Sequence, residues 1–580
     1  MGSKINTYCG ANYIISSLGC STLENYNAIE SYTTNIYKYS GCGTPVCLID
    51  RERLKKELTS SVLDYNKLNC REGLEKYSFL EQLVITSLEH VISESGVGLS
   101  NRDTLLILST TKGNIEYIAN DLENSFLWAT ANKMVSYFNC ANTPLIYSNA
   151  CISGVGATVI GKRLIEQGEY NNVYVVGVDV VSDFIVSGFN SFKSISPTIC
   201  RPYDAQRDGL TLGEACGALL LTNNRELSDS KVVVCGGGIS DDANHISGPS
   251  RTGDGLYFAI KRAMQEADIE VDDLSFVNTH GTATPYNDEM ESKALQMAGL
   301  CGVPCNSLKP YLGHTLGASG VIEIILSLEQ LKRSHLFGVK GYATSGVPFD
   351  LNVSAKHREI SGEYLLKTAS GFGGTNCAVV LGKEEECMRY IGSDSKNRQE
   401  LVQLASCKID SEVVSAEEGY ADFSSFIRVE YKKLGKTNMK FFKMDNLCKL
   451  GYVASSRLLE GVELNFEADK IGVVIANSYS SLDIDLRHNE IVSGNPAEGA
   501  SPAIFVYTLA NIVAAEIAIR NGFKGELSLF IQEKKSLDFV EKYSKGLIQN
   551  GICDAVIYGW CNLLEEEYSA ELKLLVVKRQ

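Results

Sequence analysis

The chain has 580 residues, more than a single hydrophobic core serves, so two or more domains are expected. Its 44% hydrophobic and 21% charged content belongs to a globular protein, and a net charge of −16, from 70 acidic and 54 basic residues, argues against broad nucleic-acid binding while leaving room for a local basic patch facing an acidic partner. The 18 cysteines show no C-x-x-C metal pairing, the polar start Met1-Gly2-Ser3-Lys4 has no apolar leader, and no apolar run reaches the ~18–20 residues of a membrane span. The expectation is a cytoplasmic protein with reduced thiols, no bound metal and no integral membrane segment.

In chain order, Phe79 to Ser93 has helical apolar spacing, Thr104 to Ser109 reads as a strand, and Thr110 to Asn114 is the loop after it. A helix from about Asn124 to Phe138 leads to the strand before Cys151. Asn172 to Asp179 is a near-continuous apolar strand, the mark of a sheet covered on both faces. A loop is read from Phe184 to Cys200. Strands at 215–222, 232–238 and 274–278, helices at 255–267, 288–298 and 320–333, and strands at 364–368 and 376–381 follow. This alternation predicts an α/β layered fold. Residues 383–400, with Lys383-Glu384-Glu385-Glu386 and a second polar cluster, form the expected linker between domains 1–382 and 401–580. The second region has a strand at 471–476 and a buried helix at 503–520. His488, set among charged neighbours, reads as a surface residue.

The segment Ser148-Asn149-Ala150-Cys151-Ile152-Ser153-Gly154 reads as strand, sharp turn and then a buried helix with Cys151 at its start. Free N–H groups and the helix dipole there favour a thiolate, so Cys151 is a candidate nucleophile. Two of seven histidines lie in glycine-rich turns: Thr279-His280-Gly281-Thr282-Ala283-Thr284 and Lys309-Pro310-Tyr311-Leu312-Gly313-His314. A cysteine with two such histidines is a constellation for thiol acyl transfer, although spacing alone does not bring them together.

With these residues in view, the sequence resembles the elongating β-ketoacyl-[acyl-carrier-protein] synthases of the thiolase-like αβαβα fold. The resemblance covers residues 5–382. It rests on Asn149-Ala150-Cys151, on Arg201-Pro202-Tyr203-Asp204 with Arg207-Asp208-Gly209 and Gly213-Glu214, and on His280 to Thr284 with Asn287-Asp288. Lys309 to Ala318 and Gly371-Phe372-Gly373-Gly374-Thr375-Asn376 complete it. It implies that Cys151 takes an acyl chain from a carrier thioester. His280 and His314 would assist loss of CO2 from a malonyl thioester, each donor to the developing negative charge being worth about 3 kcal/mol. Lys309 would set the local charge with Glu323 as partner. The N–H groups of Cys151 and Phe372 would form an oxyanion hole, with Phe372 and Gly373 in the gating loop, and Thr282 and Thr284 would hold the phosphopantetheine arm. Asp204, Asp208, Glu214, Asn287 and Asp288 would pin loops. No cofactor is implied beyond the phosphopantetheine that arrives on an acyl carrier protein. An initiating, acyl-CoA-dependent enzyme is the alternative, as is a chain-length-setting subunit with little activity of its own.

The second region echoes the first. Phe126 to Asn132 is repeated as Phe505 to Asn511, and Arg163 to Gly168 as Gly546 to Gly551; aligned without gaps from Gly168 and Gly551, Cys151 falls on Lys534. Residues 401–580 lack the nucleophile and both histidine motifs. They resemble a shortened chain-length-factor-like partner, a half-thiolase-like α/β unit fused in cis. Either the protein forms an intramolecular pseudo-heterodimer (a homodimer being the other possibility), or the unit is a decayed duplication that only stabilises the fold.

Overall fold

The computed structural model describes residues 5–40, 42–60, 74–384, 400–413, 420, 422–435, 438–494 and 499–578. Most of the expected linker, residues 385–399, lies outside them. Among the described residues fifteen strands form one continuous sheet. In chain order they are β1 (Tyr8–Ser16), β2 (Thr104–Ser109), β3 (Leu145–Tyr147), β4 (Asn172–Asp179), β5 (Ala215–Thr222), β6 (Val232–Asp241), β7 (Leu274–Asn278), β8 (Cys305–Asn306), β9 (Tyr364–Gly371), β10 (Thr375–Lys383), β11 (Leu401–Asp410), β12 (Ile471–Asn477), β13 (Leu527–Ile531), β14 (Ala555–Leu564) and β15 (Glu567–Val577).

Their spatial order is β8-β7-β9-β10-β6-β1-β5-β4-β2-β3-β13-β12-β14-β15-β11. Numbered within each run of five, the order 1-5-4-2-3 occurs three times, in residues 8–222, 232–383 and 401–577. Each time strands 4, 2 and 3 are parallel and strands 1 and 5 antiparallel. The sequence echo joins the first and third copies; the middle copy shares their topology.

The first and third copies meet edge to edge. β3 pairs antiparallel with β13, Tyr147 opposite Phe530 and Ile146 opposite Ile531. The bond continues past the strand end, where Ser148 donates its N–H to the Leu529 carbonyl at 3.2 Å and Asn149 Nδ2 to the Leu527 carbonyl at 2.7 Å. Two buried ion pairs cross the same seam. Arg163 Nη1 meets Glu526 Oε2 at 2.8 Å, with the Tyr543 hydroxyl 2.6 Å away, and Lys112 meets Asp485. Apolar residues of both copies, Ile152, Val474, Phe530 and Val540 among them, share one core cluster.

Helices cover both faces: α1 (Phe79–Ser95), α2 (Leu127–Phe138), α3 (Ser153–Glu166), α4 (Asp183–Ser191), α5 (Asp254–Ala267), α6 (Pro285–Met297), α7 (Ser319–Lys332), α8 (Asn446–Leu458), α9 (Leu482–Gly494), α10 (Ile512–Asn521) and α11 (Asp538–Gln549). α3 and α7 follow the third strand of the first and middle copies and are buried on nearly every side, as helices between layers must be. They touch through glycines: a Cβ on Gly320 would stand 2.3 Å from the Val155 nitrogen, and one on Gly154 2.7 Å from the Val321 nitrogen. That close crossing brings the start of α3 against the start of α7.

Three expectations change. The segment Phe184 to Cys200 opens as helix α4, capped by the Ser182 hydroxyl on the Ile185 N–H. The helix expected over 503–520 is two pieces, Pro502–Thr508 and α10, bent by 103°. The break is stable because Lys112 Nζ and Ser481 Oγ donate to the Thr508 carbonyl it exposes. His488 is buried, 0% exposed, rather than on the surface. It packs edge-on to Phe184 with ring centroids 4.4 Å apart, and its Nε2 lies 3.1 Å from the Phe184 carbonyl. Burial lowers its pKa to about 4. Among the described residues no single helix is long and apolar enough to cross a membrane.

Candidate active site

Loops at the C-terminal ends of strands in the first and middle copies converge on a cavity of about 280 Å³. Cys151 comes from the turn after β3, where Ala150 takes a left-handed φ of 48°. The strained turn lifts the thiol out of the strand line, two residues before α3. His280 follows β7, and His314 lies between β8 and α7. The geometry therefore brings together the three residues that sequence spacing left separate. His314 Nε2 stands 3.1 Å from Cys151 Sγ, and the His280 and His314 rings lie 5.3 Å apart, edge to face.

The protonation of His314 follows from its own turn. The Leu316 N–H donates to Nδ1 at 3.3 Å, which leaves the ring proton on Nε2, aimed at Sγ. Burial, reinforced by the charge of Lys309, holds both imidazoles well below the usual histidine range, so both are neutral. Burial also pushes the Cys151 thiol up to about 12, against the pull of Lys309. Burial thus opposes the thiolate that the helix start favours. Ionisation needs the hydrogen bond from His314 and the partner that takes the proton.

Lys309 and Glu323 lie in a buried layer behind the histidines. Lys309 Nζ donates to the His280 carbonyl at 2.6 Å and to Glu323 Oε1 at 2.9 Å. Lys367 Nζ stands 2.5 Å from the other oxygen, Glu323 Oε2, so the carboxylate bridges two cations. Thr282 and Thr284 border the cavity, hydroxyl to hydroxyl at 2.9 Å. Their loop is folded around two buried acids. Asp288 accepts the N–H groups of Thr282 and Ala283, and Glu291 those of His280 and Gly281 at 2.8 Å. Asp204 accepts from Ala343 and Thr344 and Glu214 from Ile49 and Val181, the pinning roles read from the sequence; Asn287 borders the cavity instead.

Phe372 also borders the cavity. Its ring stacks with Phe189 and Phe192 at 6.1 and 5.4 Å, and its carbonyl accepts Asn511 Nδ2 of the third copy at 2.9 Å. Gly373 has a φ of 92°, and a Cβ there would meet that same amide nitrogen at 2.6 Å, so this position requires glycine. Behind Phe189 stands Phe505, also from the third copy, with ring centroids 5.4 Å apart.

Sequence reasoning missed Lys367, Glu291 and Asp179. Lys367 had a signal, a lone cation in an otherwise apolar strand. Asp179 closes an eight-residue buried strand and accepts from Thr110, Thr111 and Gly317. Among the described residues no group of three His, Cys, Asp or Glu side chains is arranged to hold a metal ion.

Residues 81–226 match the beta-ketoacyl synthase N-terminal domain and residues 232–339 the C-terminal domain. The 3-oxoacyl-[acyl-carrier-protein] synthase 2 of Staphylococcus aureus (strain COL) is 28% identical over 250 residues, 41% of this chain and 60% of the relative. A putative mitochondrial 3-oxoacyl-[acyl-carrier-protein] synthase of Schizosaccharomyces pombe is 29% identical over 263 residues, again 41% and 60%. The chain thus spans about 60% of the length of the curated relatives it matches. Among solved structures, the ketosynthase ApeO in complex with its chain length factor ApeC from Xenorhabdus doucetiae aligns with 66% of this chain and all of that one at 24% identity, TM-score 0.58. The PfaC keto synthase–chain length factor aligns with 99% of this chain and 78% of that one at 12% identity, TM-score 0.76. This chain shares the thiolase-like ketosynthase fold of these solved structures.

Proposed function

We propose, for a chain whose residues 81–226 and 232–339 match the two beta-ketoacyl synthase domains, that it is an acyltransferase catalysing decarboxylative condensation of a Cys151-bound acyl chain with a malonyl thioester. The observation that carries this is the 3.1 Å contact of His314 Nε2 with Cys151 Sγ inside a cavity that His280 also borders. Cys151 attacks an acyl thioester; the carrier thiol leaves with the proton. The malonyl thioester then loses CO2, and the electron pair passes into an enolate whose oxygen receives hydrogen bonds from the neutral imidazoles. The enolate carbon attacks the acyl group, expelling the Cys151 thiolate, which the His314 N–H steadies until it is reprotonated. The product is a 3-oxoacyl thioester. No cofactor enters beyond the phosphopantetheine arm, for which Thr282 and Thr284 are the contacts, and the N–H groups of Cys151 and Phe372 hold the oxyanion. Type II fatty-acid or polyketide synthesis, aryl polyenes included, is the setting. Incubation with an acyl thioester is expected to add one acyl mass at Cys151, read by peptide mass spectrometry. An adduct of equal yield in Cys151→Ala removes this mechanism.

The donor is proposed to be an acidic acyl carrier protein. In a chain of net charge −16 the third copy exposes Arg428, Lys432, Lys440 and Lys443, while Glu430 and Asp445 of the same stretch are buried. Met439 and Phe442 stand 73% and 59% exposed in the same stretch. This surface adjoins the cavity wall: burial and then the charge of Lys440 lower the pKa of His245, whose Nδ1 accepts the N–H groups of the wall residues Ser247 and Gly248. In Lys440→Glu with Lys443→Glu, kcat/KM for a carrier-borne thioester is expected to fall about tenfold relative to that for a small soluble thioester. An unchanged ratio places the carrier elsewhere.

Residues 401–580 are proposed to be a chain-length-factor-like partner fused in cis. Lys534 stands where the repeat places Cys151, in the loop between β13 and α11, and forms no acyl thioester. The third copy stands behind the acyl end of the cavity through Phe505 and Asn511.

A further inference from the structure

The third copy touches the active site a second time, through a buried lysine. Lys112 ends the loop after β2 and is 5% exposed. Its ammonium donates to both oxygens of Asp485 at 2.8 and 2.9 Å, to Ser481 Oγ at 3.1 Å and to the Thr508 carbonyl. All three partners belong to the third copy, at the start of α9 and at the break before α10. A lysine surrounded so completely fixes its own backbone.

That backbone is held equally tightly on its other side. The N–H of Thr111 and the hydroxyls of Thr110 and Thr111 donate to the Asp179 carboxylate at 3.0, 2.8 and 2.9 Å. The same carboxylate accepts the Gly317 N–H at 2.7 Å, and Ser109 Oγ donates to the Gly317 carbonyl at 2.8 Å. Gly317 adjoins Leu316, whose φ of 52° bends the turn and whose N–H fixes the proton of His314 on Nε2. An unbroken hydrogen-bonded path therefore runs from α9 through Lys112, the 109–111 backbone and Asp179 to the turn that aims His314 at Cys151.

We propose that Lys112 is a positioning residue for His314, clamped by Asp485, so that the third copy sets the Cys151–His314 geometry in addition to walling the acyl pocket. The inference concerns the active site of the condensing reaction proposed above, but its test needs no substrate. Lys112→Met with Asp485→Leu removes both charges together; apolar replacement of a buried pair is often neutral or stabilising, and Ser481 still donates to Thr508. Asp485→Asn keeps the shape and removes the charge. The readout is the rate of Cys151 alkylation by iodoacetamide against pH, followed by peptide mass spectrometry, with the melting temperature recorded in parallel. The double variant is expected to melt near the wild type, and Asp485→Asn, which strands the buried Lys112 ammonium, below it. Their Cys151 alkylation at neutral pH should slow about tenfold, the worth of one hydrogen bond to a charged group, with the profile displaced toward that of His314→Ala. A wild-type alkylation profile in either folded variant overturns the proposal. If the variants slow as expected but the wild-type protein forms no acyl adduct, the condensation reading falls and the positioning role stands.

Discussion

Replacing Glu323 with leucine is expected to destabilise the protein by about 3–5 kcal/mol, the usual consequence of stranding buried charge. The side chains of Lys309 and Lys367 are both 0% exposed, and Glu323 lies between them at 2.9 and 2.5 Å. Without it two ammonium groups face each other with no carboxylate. Lys367→Met should cost much less, since Lys309 and Glu323 remain a matched pair. Urea midpoints of the three proteins test the ranking; equal midpoints would mean that Lys309 and Lys367 are neutral in the native state. The pH dependence has a definite sign. Burial raises the Glu323 pKa, but Lys309 and Lys367 together overcome it and hold the group below its ordinary value near 4.5. Its contribution is therefore complete above that value and is lost as pH falls through the lower native one. Glu323→Gln should flatten that acid limb. Condensation should fall as well, because the Lys309 ammonium that grips the His280 carbonyl depends on Glu323 for its place.

Glu323 came into view only through the family resemblance, as the partner of Lys309, and Lys367 did not come into view at all. Motif residues are legible when the backbone needs special conformations around them. Gly313 and Gly373 take left-handed φ beside His314 and Phe372, and such glycines leave fixed spacings in the chain. Strands buried on both faces are legible because they have to be largely apolar, and the bounds of Asn172–Asp179 and Leu274–Asn278 follow from that. Lys367 and Asp179 satisfy partners distant in sequence, whereas Glu291 holds the loop just before its own helix. His488 misled because polarity was averaged around the helix rather than along one face; Ile484 and His488, four apart, point inward together. The broken helix at 505–512 misled because its exposed carbonyl is satisfied by Lys112, nearly four hundred residues earlier. The triple topology was legible only between its first and third members, which kept the echoes around Phe126 and Phe505.

Replacing Phe505 with alanine is expected to lengthen the product. The ring presses on α4 so closely that a Cβ on Gly188 would meet it at 2.2 Å, and it backs Phe189 and Phe192 at 5.4 and 6.3 Å. Those two rings and Phe372 form the apolar end of the cavity that holds Cys151. Removing Phe505 vacates a volume directly behind them, and a close-packed interior answers a change of even one methylene. The rings can retreat into that space, and the acyl chain can follow by roughly one or two further two-carbon additions. The same vacancy weakens the seam between the first and third copies, by about 3–5 kcal/mol if the cavity does not collapse. The two effects separate the two readings of residues 401–580. A partner that sets chain length predicts a lower melting temperature together with longer products in Phe505→Ala, read by mass spectrometry of the carrier-bound acids. A decayed duplication that only stabilises the fold predicts the lower melting temperature with the product distribution unchanged. Phe530→Ala serves as the control, because its ring packs on Tyr147 across the same seam, at 5.4 Å, without bordering the acyl end. It should lower the melting temperature and leave product length as it is.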